Sequence, residues 1–258
     1  MTIPDGPILA GLTAPELALC VATIVFAGFI CGFLGFGASL IIVMVLSAVV
    51  GPAAAIPVAV LSGAVATVQL IPAAVREAER TFMVPFWLAA LIASPIGTWF
   101  LKQANPAPMK IAISCVVLAM TWLMYRGWRM ANVHDPKVFA VAGIVAGLLQ
   151  GGAGVGGPPA VAVALARPGT PDRQRANVIG AVSALSVFAI GSYWYHGLFT
   201  RDVLILGLAL VPIYSVTTWA GQRMFSGGAK AHYRNAALLA LAVIGVVSLA
   251  LAIANYKG

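Results

Sequence analysis

Charge is what this chain has least of. Asp, Glu, Lys and Arg make up 9% of its 258 residues and hydrophobic residues 61%, whereas a soluble domain carries about 25% charged residues. Such a chain cannot clothe itself for water and is expected to sit in a lipid bilayer. Cysteine is scarce too. Cys20, Cys31 and Cys115 form an odd set in apolar runs without metal-ligand spacing, and they read as small buried hydrophobes. The histidines are His134, His196 and His232, all at expected interfaces. An intramembrane serine protease needs Ser and His facing each other at membrane depth. No such pair, metal cluster or pair of acids is in view, so neither an enzyme nor a cofactor is expected. The seven acids, Asp5, Glu16, Glu77, Glu79, Asp135, Asp172 and Asp202, fall in loops or at helix ends. None is placed mid-membrane, where proton- and sodium-coupled carriers usually keep a carboxylate. The first 16 residues lack Lys and Arg, which is wrong for a cleaved signal peptide, so the first apolar run is expected to be a membrane helix. The net charge of +8 reads as basic helix ends facing anionic lipid and cytoplasm rather than nucleic acid.

Glycine, by contrast, is plentiful and placed in register. Gly28, Gly32, Leu34, Gly37 and Ala38 recur 115 positions later as Gly143, Gly147, Leu149, Gly152 and Ala153. Each set interrupts a long apolar run, and matched breaks in two halves of a membrane protein point to a transporter binding site. A spanning helix needs about 20 apolar residues. The expected segments are 14–36, 37–50, 53–74, 82–101, 107–126, 138–150, 157–167, 176–196, 202–221 and 234–254. The second, sixth and seventh are short and abut glycine breaks, as discontinuous or re-entrant helices do.

Basic residues set the orientation. With the N-terminus outside and each short segment reversing the chain, eleven basic residues fall inside: Arg76, Arg80, Arg126, Arg129, Lys137, Arg167, Arg173, Arg175, Arg223, Lys230 and Arg234. Lys102, Lys110, Arg201 and Lys257 fall outside. The expected architecture is therefore an all-α polytopic membrane protein of two inverted-topology repeats, each of about five segments. An N-terminal repeat spans 1–126, a cytoplasmic linker 127–137 and a C-terminal repeat 138–258, with both termini outside.

A glycine break has a chemistry of its own. It frees backbone N–H groups, and the next short helix points its partly positive N-terminus at the gap. Two such ends facing each other would cradle an anion without a basic side chain. The expected substrate-binding residues are Gly35, Gly37, Ala38, Ser39, Gln150, Gly151, Gly152, Gly154, Gly156, Gly157 and Asn177, with Arg175 and Gln69 in a vestibule. Backbone unwinding is expected at Gly35, Gly37, Gly151, Gly152, Gly154 and Gly156; close helix packing is expected at Gly28, Gly32, Gly143 and Gly147. Arg175 and Asn177 have a plainer reading, as a membrane anchor and a helix cap. Tyr193, Trp194, Tyr195 and His196 read as an interfacial aromatic belt.

The order of these features resembles a known family. In the first half a glycine break and short helix end near Gly51-Pro52, followed by Leu61-Ser62-Gly63-Ala64, the charged turn Arg76–Arg80, and Pro95-Ile96-Gly97-Thr98-Trp99. In the second half Gln150 to Pro159 precedes Arg173-Gln174-Arg175-Ala176-Asn177 and a helix with Trp219-Ala220-Gly221. This resembles the TauE/SafE family of membrane permeases over nearly the whole chain. The resemblance implies export of sulfite or a short organosulfonate such as sulfoacetate, by alternating access, across a bacterial inner membrane. The expected partners are a small anion and the bilayer; a homodimer is left open. The alternatives are an anion channel, or an uptake carrier for another small anion such as a carboxylate.

Overall fold

A computed structural model of the protein describes residues 12–103, 122, 135–226, 233, 235–240, 242, 243 and 246. Among these there are eight complete helices and no strand. They are α1 (Ala14–Leu34), α2 (Ala38–Val49), α3 (Pro52–Glu77), α4 (Arg80–Gln103), α5 (Pro136–Ala153), α6 (Gly157–Ala166), α7 (Pro171–Tyr195) and α8 (Arg201–Ser226). Five helices are long and apolar enough to cross a membrane: α1, α3, α4, α7 and α8. The protein is an all-α polytopic membrane protein. The expected fifth and tenth segments, 107–126 and 234–254, lie outside the described residues except for helical positions at 122, 235–240, 242, 243 and 246.

Local chemistry accounts for the helix ends. Thr13 precedes α1 and its N–H donates to Glu16 Oε2 at 2.8 Å, three residues on, which is half of a capping box. Asp135 caps α5 by accepting from Lys137 N–H at 2.9 Å. Thr170 caps α7, with Pro171 opening the helix. Two sequence boundaries need correction. The sixth segment was expected to stop at Gln150 but runs helically to Ala153. The eighth was expected from 176 but starts at Pro171, where the Thr170 cap sets it.

The short helices set the geometry. With 12 and 10 residues, α2 and α6 are about 18 and 15 Å long, half of a hydrocarbon core of about 30 Å. Every residue of α6 from Pro158 to Ala166 is buried, which suits a helix apolar all round.

Helix neighbours follow one rule. α1 packs on α8 and α5 on α4; α3 packs on α7; α3 also meets α8, and α7 meets α4. α2 lies against α1 and α3, and α6 against α5 and α7. Exchanging α1–α4 with α5–α8 maps the α3–α7 pairing onto itself and every other one of these pairings onto another of them. Glycines allow the two closest contacts. A Cβ on Gly28 would strike the Thr217 hydroxyl and one on Gly32 the Thr218 carbonyl, both on α8. On Gly143 and Gly147 it would strike the Phe86 and Ala90 carbonyls of α4. These four glycines are packing glycines. The outer faces carry exposed Phe26, Val68, Leu88, Ile92, Leu208 and Val216, as lipid-facing helices do. Trp99 and Trp219 are half exposed on α4 and α8, and Trp194 and Tyr195 are exposed at the end of α7.

Candidate functional site

The first break is an opened joint. α1 ends at Gly35, in the left-handed region at φ 86°, whose N–H returns to the Cys31 carbonyl at 2.7 Å. Phe36 is buried, and Gly37, left-handed at φ 95°, precedes α2 with no side-chain cap. The first N–H groups of α2 therefore have no partner from the helix or from a capping side chain. They open on a cleft lined by Gly35 to Ser39 and Cys31, by Gly63, Ala66, Thr67 and Leu70 of α3, by Val182, Ser183 and Ser186 of α7, and by Tyr214 of α8. No charged side chain among the described residues lines it.

Its hydroxyls differ in state. Thr67 donates to the Gly63 carbonyl at 2.9 Å and Ser186 to the Val182 carbonyl at 3.2 Å. Ser183, 8% exposed, lines the cleft and makes no hydrogen bond to another described residue. The buried Tyr214 hydroxyl stands beside the Cys31 thiol and the Thr218 hydroxyl but makes no well-formed hydrogen bond.

The second break is closed on itself. Gly154, left-handed at φ 69°, donates to the Gln150 carbonyl at 2.9 Å, and Val155 N–H reaches the Leu149 carbonyl at 3.4 Å. Gly156 N–H donates to Gln150 Oε1 at 2.9 Å. Pro158 and Pro159 follow Gly157 and have no N–H to offer. From α7, the Tyr193 hydroxyl donates to the carbonyl of Gln150 at 2.8 Å and of Gly151 at 3.2 Å. Of the donors a cradle would use, those of Gly154, Val155 and Gly156 are spent and those at Pro158 and Pro159 are missing, which leaves the Gly157 N–H.

This placement corrects several expectations. Gly151 and Gly152 are helical, not unwound; a Cβ on Gly151 would overlap the Ser94 carbonyl, so these glycines let α5 approach α4. Gly156 is likewise a close-packing position with ordinary right-handed φ, its missing Cβ making room for the Ala146 carbonyl. Of the expected binding residues, Gly35, Gly37, Ala38 and Ser39 line the cleft; Gln150, Gly151, Gly152, Gly154, Gly156, Gly157 and Asn177 do not.

Arg175 does not line the cleft. It is 4% exposed, donates from Nε to the Phe33 carbonyl at 3.1 Å and from Nη2 to the Gly32 carbonyl at 2.5 Å, and lies over the Phe225 ring. The Tyr233 hydroxyl takes the Leu34 carbonyl at 2.8 Å. Together they satisfy carbonyls that the break leaves open, with the cation at the negative end of α1. Asn177, 1% exposed, accepts from Glu79 N–H at 2.8 Å and so caps α4. Glu79 also pairs with Arg167, whose guanidinium stacks over Phe82 and Phe139. Gln69 keeps a buried side-chain oxygen without a partner, but outside the cleft lining. The described acids stand at helix ends or turns: Glu16, Glu77, Glu79, Asp135, Asp172 and Asp202.

Sequence reasoning missed Thr67, Ser183, Ser186 and Tyr214. The available signal was weak: Gly63/Thr67 and Ser183/Ser186 are spaced four and three apart, one face of a helix each.

The family model for the sulfite exporter TauE/SafE matches residues 20–248. No curated protein and no solved structure matches the chain. The chain belongs to the sulfite exporter TauE/SafE family, a family of membrane transporters, and is an integral membrane protein.

Proposed function

We propose that the protein exports a small sulfur oxyanion, sulfite or a short organosulfonate, by alternating access, and that the anion is held at the first break alone. The observation that carries this is the cleft at the start of α2. It joins uncapped backbone N–H groups to the Ser183 hydroxyl in a lining with no charged side chain among the described residues. A compact oxyanion offers acceptors to such donors, and the partly positive end of α2 favours its charge.

The second break takes a mechanical role in this reading. Its Gln150–Gly156 bond and Tyr193 clamp hold α5 and α6 in a fixed elbow. The exchange-related helix neighbours and the basic-residue bias support two inverted repeats, 1–126 and 138–258, joined by a cytoplasmic linker at 127–137, with both termini outside a bacterial inner membrane. Rocking one repeat against the other would expose the cleft to each side in turn. An inside-negative potential favours anion exit by about 2.3 kcal/mol per charge per 100 mV, and the acids at helix ends leave this potential as the driving force.

The test is flux in liposomes containing the purified protein, with labelled sulfite and a panel of short sulfonates at imposed potentials. Saturable flux of one anion that follows the potential is expected. Saturable flux indifferent to potential would sink uncoupled export.

A further inference from the structure

Two of the cleft hydroxyls have already given away their protons. Thr67 and Ser186 donate to carbonyls of their own helices, so each turns lone pairs, not a proton, to the cleft it lines. The uncapped N–H groups at the start of α2 and the Ser183 hydroxyl remain to donate. The lining thus offers both donors and acceptors, without a charged side chain among the described residues.

From this we infer that the cleft takes a monoanion carrying its own hydrogen-bond donor, such as hydrogensulfite, and rejects dianions. The inference rests on the reading of the cleft as the anion site.

Charge supplies the first half of the argument. Stripping water from an ion costs free energy that grows with the square of its charge, while its attraction to fixed dipoles grows only in proportion. A dianion therefore meets about four times the cost for about twice the return. The cation held against the break is Arg175, and its Nε and Nη2 are turned to the Phe33 and Gly32 carbonyls. Hydrogen bonding supplies the other half. A bare oxyanion has only acceptors, so it would set its oxygens against the lone pairs of Thr67 and Ser186. An anion with a hydroxyl or amino group pairs with them instead.

Three anions of nearly the same shape separate these effects: sulfamate is a monoanion with a donor, methanesulfonate a monoanion without one, and sulfate a dianion. Binding of each to the full-length protein in lipid nanodiscs would be measured by calorimetry. Sulfamate should bind tightest, and sulfate at least about tenfold more weakly. Thr67→Val, which removes the acceptor at constant shape, should close the gap between sulfamate and methanesulfonate. Ser183→Ala should weaken both. Sulfate binding as tightly as sulfamate would overturn the charge selection, and methanesulfonate matching sulfamate would overturn the donor requirement. In either case the anion site would stand. Binding of no anion, or binding indifferent to Ser183→Ala, would overturn the anion site itself.

Discussion

Arg175 on α7 closes the end of α1 by donating to the Gly32 carbonyl at 2.5 Å, across 143 residues of sequence. About five turns further along the same helix, Tyr193 closes the end of α5 through the Gln150 carbonyl. One helix therefore holds both broken joints. At the first joint the satisfied carbonyls leave the following donors free to face a cleft.

Removing the Arg175 guanidinium should accordingly be a stability lesion. Arg175→Ala leaves two buried carbonyls unpaired and is expected to cost about 2–4 kcal/mol. Arg175→Lys should recover only part, because an ammonium cannot reproduce the two-pronged contact. Thermal unfolding of the purified variants checks this; Arg76→Ala, at an exposed position, should match the parent. A parent-like midpoint for Arg175→Ala would contradict the capping role.

Glycines that look alike in the sequence should behave differently. Gly37 sits at φ 95° at the mouth of the cleft, and Gly37→Ala should cost about 1–2 kcal/mol of backbone strain and sharply reduce flux. Gly157 has open space where a Cβ would stand and no positive φ. Gly157→Ala should transport like the parent. Flux per folded protein for the two variants, compared directly, decides it.

The Glu79–Arg167 pair ties the turn between α3 and α4 to the end of α6. Arg167 is 2% exposed, so Glu79→Ala removes the carboxylate facing a buried cation. The expected loss is about 3–5 kcal/mol, read as a lower unfolding midpoint. Replacing both residues by neutral ones should recover part of it.

If the cleft selects a monoanion, sulfite flux should depend on pH through the substrate. The acid form is the monoanion, so flux at fixed total sulfite should fall as pH rises and hydrogensulfite becomes sulfite. Flux of sulfamate should stay level over the same range. Parallel curves would contradict the selection.

Much of the fold was legible because hydropathy and punctuation are local. The expected segment 14–36 became Ala14–Leu34, and 157–167 became Gly157–Ala166. Gly28, Gly32, Gly143 and Gly147 were read correctly as packing glycines from their four-residue spacing. The site was less legible because its determinants are remote in sequence. Nothing near Gly151 tells that the Ser94 carbonyl will occupy the space of its Cβ and keep it helical. The roles of Arg175 and Asn177 depend on partners 143 and 98 residues away. Ser183 and Ser186 look like ordinary polar interruptions of an apolar helix until Gly37 and Thr67 are seen across the cleft. The two breaks match in glycine spacing, but Pro158, Pro159 and Gln150 take most of the donors from the second, a difference of single residues within a shared pattern.

The central claim is that the anion rests at the first break and not between the two. Its most direct test is a structure of the protein with a selenium-bearing congener, hydrogenselenite, located by anomalous scattering. The account predicts a peak within hydrogen-bond reach of the Ser39 N–H and the Ser183 hydroxyl. A peak at Gly154–Gly157, or midway between the two breaks, would contradict it.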